Sequence, residues 1–214
     1  MNERPLQGLT VVLAFIGAIL GTSSAAFGFA AESFLAIERA IISIDEDDEE
    51  LSSELVVEGT SVPANGTEGA FGYGILTGEE GGDTMLVAHT HRGVLDSEDQ
   101  RFIADPTWHT HLLRLGDADE CEEEDQGIVD ITWQSPGEVT ISNDMARISD
   151  IPTDEFEGWD SITGEPLTMT LGEDVSKVIS FKIDPVFDED DGELEALCIT
   201  DIRSAEEEEE VNRN

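Results

Sequence analysis

All four histidines of the chain fall in two identical triplets, His89-Thr90-His91 and His109-Thr110-His111. In an extended strand, residues i and i+2 point to the same face about 6.5–7 Å apart along the backbone, close enough for two imidazoles to converge on one ion. Parity sharpens this reading: Met85, Val87, His89 and His91 share one strand face, and His109, His111, Leu113 and Leu115 share another. The histidines therefore ride on apolar faces expected to point inward. A desolvated polar group left unpaired costs about 1–3 kcal/mol, so four buried imidazoles call for a common solution. Residue type leaves three open. The first is a first-row transition ion such as Zn or Cu, held by His89, His91, His109 and His111. The second is ordinary hydrogen bonding to loop carbonyls, Thr90 or Thr110, and the third is general acid–base work. Asp96, Glu98 and Asp105, between the triplets, are candidate extra ligands or orienting partners.

Other chemistry is weaker. Cys121 lies in an acidic loop and Cys198 in a strand-like segment, without C-x-x-C spacing. In an exported chain, two such cysteines are expected to pair rather than remain free or ligate a metal. Gly69, Gly72, Gly74 and Gly78 form a glycine-rich stretch that lacks G-x-G-x-x-G spacing and any lysine. It reads as a twisted or bulged strand rather than a phosphate cradle. Asn65-Gly66-Thr67 matches the N-glycosylation acceptor pattern, with a plain turn as the alternative. Copper/zinc superoxide dismutases also carry H-x-H on a β-scaffold, but their downstream glycine, histidine and basic pattern is missing here. No activity is carried over from them.

The elements that must position these residues read as strands. Segments rich in β-branched and aromatic side chains alternate with Gly, Asp and Pro clusters. They cover 70–77, 84–91, 107–115, 128–133, 138–142, 146–148, 167–171, 175–183 and 194–202. That spacing predicts an all-β fold, a β-sandwich or Greek-key-like barrel, following an N-terminal hydrophobic leader. Residues 34–44 are expected to start a strand or short helix, closed by the solvated acidic run 45–50. The expected organisation is a leader over 1–30, an acidic N-terminal segment over 31–69, a β-domain over 70–204 and a disordered acidic tail over 205–214.

Fifty Asp and Glu face ten Lys and Arg, giving a formal net charge of -40. A polyanion is repelled along the whole chain, and no basic cluster offers an exception, which excludes nucleic acid and anionic membrane surfaces as partners. Such a chain repels itself when compact. At about 1 M salt, however, the Debye length falls to about 3 Å and the repulsion fades. Eight of the basic residues are Arg, with Lys177 and Lys182 the remaining two. This composition resembles that of exported acidic proteins of halophilic archaea, a resemblance that names no functional family. The strings 90–97 and 108–111 also faintly resemble short motifs of uncharacterised exported archaeal proteins.

Arg4, the apolar run from Leu9 to Leu20, and the small residues at Ser23-Ser24-Ala25 and Gly28-Phe29-Ala30 make up an export signal. Left uncleaved, it would act as a membrane anchor, the only membrane contact expected. The leading expectation is an exported, extracellular or envelope β-domain with a histidine-lined transition-metal site. Its rivals are a secreted metal-dependent hydrolase or oxidoreductase, and a metal-free surface module.

Overall fold

A computed structural model describes residues 33–45, 49–59, 61–64, 69–77, 84–122, 125–172, 175–188, 194–205 and 209–213. The expected leader, the Asn65 acceptor and residues 46–48 of the acidic run lie outside the described residues. Among the described residues no helix is long and apolar enough to cross a membrane.

The described chain is built almost entirely of strands. After a 3-10 turn over Ser33–Leu35 come β1 (Ile37–Asp45), β2 (Glu50–Val57), β3 (Phe71–Thr77), β4 (Thr84–Thr90) and β5 (His109–Gly116). They are followed by β6 (Gln126–Ile131), β7 (Glu138–Ser142), β8 (Met145–Pro152), β9 (Glu155–Trp159) and β10 (Pro166–Thr170). The chain ends with β11 (Val175–Phe187), β12 (Leu194–Ser204) and β13 (Glu209–Arg213). Strands β3, β4, β5, β6, β12 and β11 close a barrel in that order. Every neighbouring pair in it is antiparallel. The connection from β6 to β11 skips the place that β12 later fills, a Greek-key step. A second sheet, ordered β13-β1-β2-β8-β7, lies against the outside of this barrel, and β9 and β10 form a separate hairpin.

Two apolar cores follow from the strand period of two. Inward residues Met85, Val87, Leu113, Ile131, Ile179, Phe181 and Ile199 fill the barrel. Outward residues Phe71, Tyr73, Ile75, Leu86, Ala88 and Leu112 pack with Ile42, Leu51, Leu55, Ala146 and Ile148 of the second sheet. All seven residues of β4 are therefore buried. The aromatic residues seal this second interface. Trp108 stacks on Tyr73 with ring centroids 5.9 Å apart, and the Tyr73 hydroxyl donates to the Phe34 carbonyl at 2.7 Å.

A six-stranded barrel leaves little interior space, since even eight strands only just accommodate side chains. The glycines of β3 answer this constraint. A Cβ on Gly72 would lie 2.6 Å from the His89 Cβ, and one on Gly74 would lie 2.6 Å from the Met85 sulfur. Close approach to β4, rather than a bulge, is why this strand carries glycine.

Three elements depart from expectation. β2 forms directly after the acidic run, with its apolar residues alternating inward. β9 arises where no strand was expected. Within the terminal segment read as a disordered tail, β13 pairs in parallel with β1.

Cys121 and Cys198 form a disulfide across 77 residues, tying the loop after β5 to β12. Closing a loop of that length contributes about 4 kcal/mol in the chain-entropy view. Denaturant unfolding of the Cys121→Ser/Cys198→Ser double variant in high salt should show a loss of about that size, whereas an unchanged midpoint would mean that the bridge does not constrain the unfolded chain.

Candidate metal centre

β4 and β5 form an antiparallel pair in which His89 lies directly opposite His109 and Val87 directly opposite His111. Directly opposed side chains on one face have Cβ atoms about 4.5–5.5 Å apart. Because i and i+2 share a face, the register brings His89, His109 and His111 together, and His91 joins them one step past the end of β4. Ring centroids of His89 lie 4.9 Å from His91, 4.4 Å from His109 and 4.8 Å from His111. All four rings are buried at one end of the barrel.

The 91–108 connection folds back and places the Asp96 carboxylate among them. Its oxygens lie 3.1 Å from His91 Nε2, 3.3 Å from His109 Nε2, 3.8 Å from His111 Nε2 and 4.0 Å from His89 Nε2. Local hydrogen bonds hold the loop in this shape. The Asp96 amide donates to Gln100 Oε1 at 3.0 Å, and Gln100 Nε2 donates to the Asp105 carbonyl at 3.3 Å. The Asp105 carboxylate accepts from the Arg101 amide and from both the amide and the hydroxyl of Thr107. Thr107 in turn offers its carbonyl to His109.

Of the three acids flagged between the triplets, Asp96 thus sits in the cluster. Asp105 braces the loop, its carboxyl held below the usual range by the Thr107 hydroxyl and the Arg101 amide. Glu98 is exposed, and its amide donates to the Trp133 carbonyl.

The electrostatics follow from the tautomers. His109 Nδ1 lies 2.7 Å from the Thr107 carbonyl and His111 Nδ1 lies 2.5 Å from the Thr132 carbonyl. A carbonyl only accepts, so each Nδ1 carries the proton, and in the neutral ring the Nε2 lone pair points inward. An ionised carboxylate likewise offers only lone pairs. At His109 and His111 lone pairs therefore meet lone pairs in a dry space, whereas His91 Nε2 is hydrogen-bonded to both Asp96 oxygens at 3.1 Å. Consistently, His109 Nε2, His111 Nε2 and both ring nitrogens of His89 are buried without a hydrogen-bond partner. Buried orphan polar atoms of this kind require an explanation such as an ion.

His89, His91, Asp96 and His109 each offer one donor atom, all within 4.8 Å of one another, and this buried group could hold a metal ion. Backbone carbonyls on Nδ1 are the usual means of orienting metal-ligating histidines. His111 Nε2 faces the same carboxylate from a slightly greater distance. The cysteines contribute no thiolate, because both are in the disulfide.

Burial, and then the neighbouring His109 and His111, push the His89 imidazole well below its ordinary pKa, with Asp96 opposing. Below about pH 6.5 the unfolded chain accepts a proton that folded His89 refuses. Stability of the metal-free protein is then lost as pH falls. At constant high salt with chelator, the denaturant midpoint should fall between pH 7.5 and pH 5.5, and by less in His89→Gln. A rise on acidification in the parent protein would mean that the cluster takes up protons instead. Gly72→Ala should also reduce metal uptake by driving His89 out of place, at an overpacking cost of about 1–3 kcal/mol, which titration and thermal melting would measure.

Comparison with known proteins returns no family model, no curated protein and no solved structure that matches this chain, so the reading of the cluster rests on its own geometry.

Proposed function

We propose that the protein is an exported metal-binding domain whose barrel end holds one transition-metal ion, zinc or copper, through His89, His91, His109 and Asp96, with His111 completing the ring of donors. One observation supports this above the others. Carbonyl acceptors fix the Nδ1 protons of His109 and His111, so their Nε2 lone pairs converge on a carboxylate that only the His91 ring hydrogen-bonds. A divalent cation resolves that arrangement, and ordinary hydrogen bonding leaves four buried nitrogens unpaired. Imidazole nitrogen with a single carboxylate suits zinc and copper.

Export and a salt-rich setting are part of the same proposal. Their support is the apolar leader, the acidic composition and the disulfide, since such bridges persist in oxidising surroundings. N-terminal sequencing of the protein recovered from outside the cell would test for cleavage near Ala25 or Ala30.

Elemental analysis after purification in high salt should find about one transition ion per chain. His89→Ala, His109→Ala and Asp96→Asn should each reduce that content at least ten-fold while far-UV circular dichroism keeps its β signature. Metal content unchanged in all three folded variants would end the proposal. Loading the parent protein at a free metal level 100 times the dissociation constant should add about 2.7 kcal/mol of stability.

A further inference from the structure

Resting on that metal reading, we infer that the ion is open on one side to an exogenous ligand, a small monodentate anion whose bound atom takes the space of about one water, so that the site binds and presents a small molecule rather than simply stapling the fold. The cluster has two unlike sides. His109 and His111 have no side-chain exposure, and their outer nitrogens are tied to backbone carbonyls. His89, His91 and Asp96 instead line a cavity of about 20 Å3, whose other walls include Ala70, Ile128, Ile183 and Leu197. That volume accommodates about one water-sized group beside the donors.

The shape and polarity of this cavity select the ligand. Apolar walls with a few converging polar groups are typical of sites for small molecules, and the narrow space excludes bulky ones. Arg92, exposed in the same lining, adds a positive charge beside the ion, so the pair favours an anion despite the acidity of the chain. Part of the apolar wall is held in place, because the Ile183 amide donates to the Ala70 carbonyl at 3.0 Å. A larger polar crevice of about 340 Å3 passes Trp108, Ser135 and Glu138 and touches His109. The His109 side chain is fully covered, however, so that crevice provides no way to the donors.

The test uses the full-length secreted protein loaded with Cu(II) and titrated with azide in a sulfate-based high-salt buffer, since chloride would compete. A saturable charge-transfer band is expected. Ala70→Leu and Leu197→Phe, which fill the cavity, should each weaken azide binding at least ten-fold with copper stoichiometry unchanged, and Arg92→Gln should weaken it several-fold. Copper uptake without any spectral response to azide overturns this inference and leaves the metal reading standing. Unchanged azide affinity in both filled variants also overturns it. Failure to take up copper or any other transition ion overturns both.

Discussion

One buried carboxylate facing four imidazoles is the constraint that the rest of the barrel end serves. Asp96 and the four rings are almost without solvent, and charge in such a place is costly unless its surroundings compensate. The compensation has to be geometric, because none of these groups moves far without meeting packed neighbours. The β4–β5 register sets His89 opposite His109, and Gly72 opens the space His89 occupies. The run of hydrogen bonds from Asp96 through Gln100 and Asp105 to Thr107 then fixes the loop on the same carbonyl that orients His109. Backbone, loop and donors are thus one connected structure. A change in Gln100 or Asp105 acts on the cluster without touching it.

Much of this was readable from residue order, for a physical reason. Period two leaves no freedom: once Met85, Val87 and Leu113 point inward, His89, His109 and His111 must follow. Strand positions came through for the same reason, with 138–142 matching β7 and the other expected strands from β3 to β12 displaced by a few residues at most, except for the longer β8 and β11. Asp96 was less readable. Asp96, Glu98 and Asp105 are equivalent in type, and what separates them is how the 91–108 loop folds, which depends on contacts such as Glu98 to Trp133 and Ser97 to Ser135 across about 35 residues of chain. β2 was hidden by Ser52 and Ser53 in the middle of its alternation, next to an acidic run that reads as solvated. β13 has Val211 as its one apolar residue, and β9 is a five-residue segment in which Gly158 and two glutamates surround Phe156 and Trp159, so neither shows the β-branched run that marks the other strands.

The glycine-rich strand shows how a correct element can carry an incomplete explanation. Gly72 and Gly74 were read as marks of a twisted or bulged strand, and the strand is there. Their reason lies across the sheet, in His89 and Met85. A six-stranded barrel filled by Phe181, Ile179 and Leu113 has no room for four imidazoles unless a facing strand gives up side chains. The space for the cluster is therefore encoded on β3, well before the first histidine in the chain.

The overall charge gives the buried nitrogens a further significance. A chain with fifty carboxylates offers any cation many oxygen sites on its surface, and hard ions such as magnesium and calcium prefer oxygen. Surface sites of that kind are weak, because water competes and salt screens them. A donor set rich in imidazole, placed inside a barrel and away from those carboxylates, favours borderline transition ions over hard ones. With an ion bound as proposed, Asp96 would supply one balancing negative charge and the imidazole nitrogens would set the preference. Had the cluster been built of carboxylates alone, it would have been one acidic group among many, filled by whichever hard cation was most abundant. The proposed selectivity in so acidic a chain would depend on nitrogen donors held dry, and two strands, four histidines and a missing Cβ together provide such a set.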